Sequence, residues 1–471
     1  MDALQGKQLQ VKRGLNYRYF VSSHYKASNP SLLLLHGWPD NANLWQYVLP
    51  YLLPLNCKIV VPDLLGYAGT DKPTDLEAYN HRLMCQDLLD ILAAEGIEDN
   101  VITIGHDFGC WFAARFNLLH PERCLATVHI GIAYMPPMPQ ALDPDMFFHL
   151  GQQDDGSSRY IYWELFTSPE APKLFAQHNQ AVWHALHGAP DDMVKQMFCF
   201  KDAFKNFLLQ DRTDVDLRPY AQDKDLHDAW IQDFSTEVQW EASFAWYNSF
   251  ISSVQTEVDK TIAPERFRLE MPVLFISCDS DAVNPHSTID GPKDAGLLPD
   301  LTEKELHSGH WCPYEKPEEL SMMIIEWTRV EVMPMIAAIR PPRLPRLQWY
   351  YGGAIIFERA ENLGLEMRIL SEDGKSFDGS RIKYGIVPGA DGKKVVLVFQ
   401  HSNRDRVVER RLLAALRAYL LEKGTGLSVG DFDPERMAAL TVVEFQSGFT
   451  SGWSFTLHRR TIECIRRENE V

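Results

Sequence analysis

The chain has 471 residues, 45% hydrophobic, 23% charged and 11% aromatic, a globular composition that excludes disorder, collagen and low-complexity fibre. The net charge of −18 is uneven: residues 334–471 hold 21 Lys+Arg against 17 Asp+Glu, net +4, and residues 1–333 hold 25 against 47, net −22. The acidic part is unsuited to polyphosphate or nucleic acid, the tail's small excess is far below a nucleic-acid footprint, and so large an asymmetry points to two joined units.

Met1 to Lys12 is polar and mixed, so no secretory signal is expected. No apolar run approaches the roughly 18 residues of a membrane span. The eight cysteines (57, 85, 110, 124, 199, 278, 312, 464) form no CxxC or CxxH pair, which predicts buried reduced thiols in a cytoplasmic protein without a metal site.

Leu9–His24 alternates and suits an antiparallel edge hairpin. Leu32–Leu35, Lys58–Asp63, Asn100–Gly105, Ala126–Ile130 and Pro272–Ser277 are short apolar runs of the kind that form strands buried on both faces. Arg82–Glu95, stopped by Gly96, and Cys110–His120, stopped by Pro121, are helical. This alternation predicts an α/β class with a mostly parallel sheet. It breaks over residues 136–270, rich in Trp, Phe, Tyr, Asp and Gln, which read as a helical lid inserted into a core of residues 1–135 and 271–333. The helix Glu318–Val330 closes that core. Residues 334–346 have linker composition, with prolines at 334, 341, 342 and 345. Residues 347–471 then read as an α+β domain of unassigned role. Strands are expected at 354–357, 366–370, 395–399, 440–444 and 453–458, and an amphipathic helix at 404–423. Self-association or partner docking is the default role of this tail.

The most informative segment is Ile104-Gly105-His106-Asp107-Phe108-Gly109. A strand enters a helix through Gly-x-Asp-x-Gly, the spacing of a nucleophile elbow, where small flanking residues let a strained turn lift the central side chain off the sheet. In that architecture the acid and the histidine follow in chain order. Ser277–Val283 offers Asp279 and Asp281, and His307-Ser308-Gly309-His310-Trp311 offers His310. Asp281 is preferred because it lies farther past the strand end. His36-Gly37-Trp38-Pro39-Asp40 follows the Leu32–Leu35 strand, so the N–H groups of Trp38 and Phe108 are the expected oxyanion donors.

These segments resemble the soluble epoxide hydrolases of the α/β-hydrolase superfamily over residues 1–330. The matching pieces are His36–Pro39, residues 63–73, Gly105–Gly109, residues 272–281 and Gly309–Trp311; Asp281 also matches the family position. The chain departs at Ala68 and Cys110, where smaller residues are commoner. The resemblance is nearest to microbial and fungal members, some of which serve secondary metabolism. It implies an α/β-hydrolase fold with a lid (cap) domain, no cofactor, a small apolar epoxide as substrate, and two lid tyrosines. Tyr247 matches one of these. Tyr162 matches the other, with Tyr160 a close competitor. Trp163, Phe166 and Trp246 are expected to line an apolar substrate site.

The residue types suit this chemistry. A carboxylate is ionised near neutral pH and can attack an sp³ carbon without a base. His310 is then free to activate water, with Asp281 fixing its tautomer. Tyrosines can donate to the opening epoxide oxygen. A haloalkane or haloacid dehalogenase is the nearest alternative, but it wants an N–H donor after the nucleophile, where this chain has Phe108. A catalytically inactive scaffold is the other alternative.

Overall fold

The computed structural model describes residues 1 and 3–335, together with the two-residue strands at 382–383, 400–401, 444–445 and 455–456. The chain divides into two units, Met1–Val332 and Met333–Val471. In the second, Ile382–Lys383 pairs antiparallel with Gln400–His401, and Glu444–Phe445 with Phe455–Thr456. Pro334 and Met335 are helical. Apart from these residues, the expected linker, tail strands and tail helix lie outside the described residues.

The first unit is built on eight strands: β1 (Leu4–Gln10), β2 (Asn16–Ser22), β3 (Ser31–Leu35), β4 (Lys58–Pro62), β5 (Val101–His106), β6 (Cys124–Ile130), β7 (Val273–Cys278) and β8 (Leu301–Leu306). They form one sheet in the order β1-β2-β4-β3-β5-β6-β7-β8, antiparallel at the β1-β2-β4 edge and parallel elsewhere. The four leucines of β3 are fully buried between β4 and β5, each contributing roughly 2 kcal/mol relative to exposure. The edge hairpin begins at Leu4, earlier than the alternation indicates, because after Leu4 every residue of this edge strand is exposed or only half-buried and needs no apolar pattern.

β8 has no counterpart among the apolar runs. It is an edge strand, its Glu303, Lys304 and Glu305 incompletely buried, so its sequence lacks the signal of a strand covered on both faces. The helix His81–Ala94 is capped by Asn80, whose side chain accepts from the Arg82 and Leu83 N–H groups. The helix Phe108–Leu119 is buried on nearly every side, which explains its apolar composition all round. Between β6 and β7 the described chain is helical, the longest element being Glu237–Ile251 with a Thr236/Gln239 capping box. Among the described residues no helix is long and apolar enough to cross a membrane.

Candidate active site

Four loops leave the carboxyl ends of parallel strands and meet: residues 36–40 after β3, Asp107 after β5, Asp281 after β7 and His310 after β8. Asp107 joins β5 to the helix Phe108–Leu119 at φ 53°, ψ −128°, a region costly for a side chain with a Cβ. Its neighbours make the turn possible. A Cβ on Gly105 would overlap the Gly109 backbone, and one on Gly109 would overlap the Leu35 carbonyl. A Cβ on Gly37 would overlap the Asp107 side chain itself. Each glycine is therefore required by close approach, and the register Leu35↔Gly105 brings the two loops side by side.

The Trp38 N–H donates to Asp107 Oδ1 at 2.9 Å. His310 Nε2 lies 3.6 Å from Asp107 Oδ2, and His310 Nδ1 lies 2.7 Å from Asp281 Oδ2. The remaining oxygen of Asp281 accepts from the N–H groups of Val283 (2.9 Å) and Asn284 (3.2 Å). Burial raises Asp107 above the usual carboxylate range, against the pull of His310 and of the Phe108 and Trp38 N–H groups. Burial also works against Asp281, but His310 and the two backbone donors hold it low. Burial disfavours the charged form of His310, yet Asp281 and Asp107 outweigh it and the imidazole is pushed up to about 10. Asp279 is engaged elsewhere: it faces His307 Nδ1 at 2.6 Å and accepts from the Ser308 N–H at 3.2 Å.

Opposite these groups the helical segment between β6 and β7, the lid segment of the sequence reading, presents Tyr162 and Tyr247, ring centroids 6.1 Å apart and nearly perpendicular. Burial, with the Asp107 charge added, pushes both phenols well above their ordinary value, so both remain donors. Tyr160 is not on this wall; it stacks on Phe147 at 4.7 Å, with the Arg159 guanidinium over its ring. The space enclosed by Trp38, Asp107, Tyr162, Tyr247 and His310 is about 20 Å³, room for about one water.

Residues 30–317 match the alpha/beta hydrolase fold family. The chain belongs to that family. Its similarity to the bifunctional epoxide hydrolase 2 of Mus musculus is 24% identity over 333 residues, covering 68% of this chain and 55% of the mouse protein. The chain thus spans little more than half the length of that relative. Epoxide hydrolase srdG of Neurospora crassa is 24% identical over 328 residues, 66% of this chain and 92% of that one. Among solved structures, epoxide hydrolase A from Mycobacterium thermoresistibile superposes with a TM-score of 0.56 at 19% identity, covering 69% of this chain and 98% of its own. A Vigna radiata epoxide hydrolase mutant gives 0.58 at 18%, covering 70% and 99%.

In this alpha/beta hydrolase the three aromatics expected on the pocket wall stand one layer behind it. Trp163 packs against Tyr247 at 4.7 Å, and Phe166 against Trp38 at 4.4 Å and Tyr162 at 5.0 Å. Trp246 donates its indole N–H to the Leu65 carbonyl at 2.8 Å. Trp163 and Phe166 pack among the other aromatics of the helical segment, whereas Trp246 packs on Tyr67, His81, Phe108 and Phe112 of the sheet unit. The wall is completed by Val194, Phe198, Val283, Asn284 and Trp311, which the sequence reading missed. Only Trp311 and Val283, beside His310 and Asp281, had a signal that could have found them. Asp40 was also missed as a titratable group: it is buried, accepts from Trp311 Nε1 and Tyr314 OH at 3.1 Å each, and is pushed up to about 7 by burial against those donors.

Proposed function

We propose that this chain is an epoxide hydrolase that opens an apolar epoxide to a vicinal diol through an ester on Asp107. The reading rests above all on one juxtaposition: a carboxylate at the elbow faces two protonated tyrosines across a small, largely aromatic space. Asp107 Oδ1 is engaged by the Trp38 N–H, which leaves Oδ2 to attack an epoxide carbon. As the C–O bond breaks, the oxygen takes a proton from Tyr162 or Tyr247. The proton on His310 restores that tyrosine and leaves a neutral imidazole. His310 then takes a proton from water, whose oxygen adds to the ester carbonyl of Asp107. The Trp38 and Phe108 N–H groups stabilise the oxyanion. Collapse releases the diol, returns Asp107 as a carboxylate and leaves His310 protonated as at the start.

A halide-releasing alternative needs free N–H donors on the wall. The two indoles that line the space have theirs engaged, Trp38 with Ser243 Oγ (3.3 Å) and Trp311 with Asp40, which leaves the Asn284 side-chain amide beside the two phenols as donors there. This favours the epoxide. The aromatic lining supports an apolar substrate. The deciding experiment uses an aryl epoxide and His310→Gln, with intact-mass detection. A substrate-sized mass increase that maps to Asp107 is expected. Turnover of the variant at the wild-type rate, or no adduct despite wild-type turnover, would remove this mechanism.

A further inference from the structure

His310 is held by a short loop, and nearly every polar group of that loop has a partner. The Ser308 N–H donates to Asp279 Oδ1 (3.2 Å), the Gly309 N–H to Glu315 Oε2 (2.9 Å), and Trp311 Nε1 to Asp40 Oδ2 (3.1 Å). The His310 carbonyl is paired with His106 Nε2 (2.8 Å). Three of the four partners belong to the sheet and its loops and touch only the core. Glu315 differs. The same oxygen that accepts from Gly309 also accepts from Arg218 Nη1 of the lid at 2.9 Å.

The Glu315 carboxylate occupies space that only glycine leaves open, since a Cβ at Gly309 would stand 2.7 Å from Glu315 Oε1. The pair is largely shielded, with side chains 15% and 10% exposed, so it escapes most of the screening that weakens surface pairs. Arg218 is fixed in turn. Its Nε donates to the Gly188 carbonyl (3.2 Å) and its backbone N–H to the His187 carbonyl (3.0 Å). Beside it the same seam continues in two ring contacts, Tyr220 stacked on Tyr314 (5.3 Å) and His187 against Trp311 (4.9 Å).

We propose that Glu315, braced from the lid by Arg218, is a positioning residue for His310, so that seating of the lid sets the imidazole for hydrolysis of the ester. The inference rests on the epoxide hydrolase reading above and adds a division within it. Asp107 is placed by its own elbow and by Trp38, neither of which touches Glu315. His310 is placed by the loop that Glu315 holds. Loss of the strut therefore falls on the second half-reaction, where His310 acts as base; formation of the ester bond itself needs only Asp107 and a tyrosine, His310 returning the tyrosine's proton afterwards. A displacement on the order of 1 Å in such a group costs about 10²-fold.

The test is single-turnover kinetics of the full chain with an aryl epoxide, following ester formation and decay by rapid quench and intact mass. Arg218→Met and Glu315→Ala are expected to slow ester decay by about 10²-fold, with formation within about twofold of wild type, so that the ester accumulates. Arg218→Lys and Glu315→Gln, which keep the cation or the Gly309 acceptor, should recover part of the decay rate. The rate of formation reports that each variant is folded. Equal slowing of both steps, or unchanged decay in all four variants, would overturn the positioning role while leaving the function intact. A wild-type chain that turns over the epoxide without an ester on Asp107 would overturn the mechanism and this inference together.

Discussion

Replacing Asp281 by Asn tests the charge arrangement most directly. The new carbonyl oxygen can still accept from the Val283 and Asn284 N–H groups, which bond Oδ1 of the native side chain. The amide nitrogen then faces His310 Nδ1, where the native oxygen lies at 2.7 Å. That ring nitrogen must now accept, so Nε2 carries the hydrogen and offers no lone pair to water. Attraction between unit charges at this separation is about 6 kcal/mol at an effective dielectric near 20. Inverting the tautomer of a catalytic histidine costs about 10⁴ in rate, or about 5 kcal/mol. The two routes agree, so ester hydrolysis should fall by about four decades while ester formation continues. Rapid-quench mass spectrometry would show the adduct on Asp107 within one turnover and its persistence afterwards. Asp279→Asn, which touches His307, Ser308 and Ser280 but not His310, should stay within a few-fold of wild type. Wild-type decay of the ester in Asp281→Asn, with damage in Asp279→Asn instead, would refute the assignment.

The double variant Tyr162→Phe/Tyr247→Phe removes both donors facing the opening ring, a penalty of roughly several kcal/mol; epoxide opening should nearly stop while each single variant keeps partial activity, as steady-state rates will show. Arg115 forms a bidentate pair with Asp259 (2.7 and 2.9 Å), both side chains 4% exposed, and also binds the Met135 carbonyl, while Asp259 accepts from the Met138 N–H. Arg115→Met leaves that carboxylate buried and unpaired and should cost about 3–5 kcal/mol in urea unfolding. Asp40, raised by burial to about 7 from an ordinary value near 4, holds its proton more tightly folded than unfolded. Its contribution is therefore greatest below about pH 4 and falls as pH rises to 7, a loss on the order of 4 kcal/mol. Asp40→Asn should accordingly melt higher than wild type at pH 8 and lose that advantage near pH 4, by calorimetry.

The sheet's centre was legible because strands covered on both faces are written as unbroken apolar runs. All five such runs became β3 to β7. β8 was not legible, since an edge strand is free to carry Glu303, Lys304 and Glu305. The elbow was legible because steric demand selects residue types: Gly105 and Gly109 stand where any side chain would strike backbone. Choosing among neighbours was harder. Asp279 and Asp281 differ by two residues in one loop, and only the path of that loop decides which reaches His310. The lid was least legible. Its short helices are aromatic on several faces, so nothing in the spacing separates Tyr162 on the wall from Trp163 behind it, or Phe198 on the wall from Phe166.

Three buried carboxylates lie near one imidazole, and their donors order them. Asp281 has two backbone N–H groups and His310, and is held low. Asp107 also has backbone donors, but His310 stands at 3.6 Å and burial prevails, so it is raised. Asp40 has an indole and a phenol as its direct hydrogen-bond donors and reaches about 7. Environments that push like groups apart assign them to different work. The acid held lowest keeps its charge beside His310 throughout. The raised carboxylate at the elbow is the one whose lone pair is least committed, and so the one suited to attack carbon. In the proposed reaction, attack would neutralise Asp107, and with it would go one of the two charges that keep His310 near 10. Ester formation would thereby weaken the hold on the histidine's proton at the step where the proposed mechanism next requires a free imidazole.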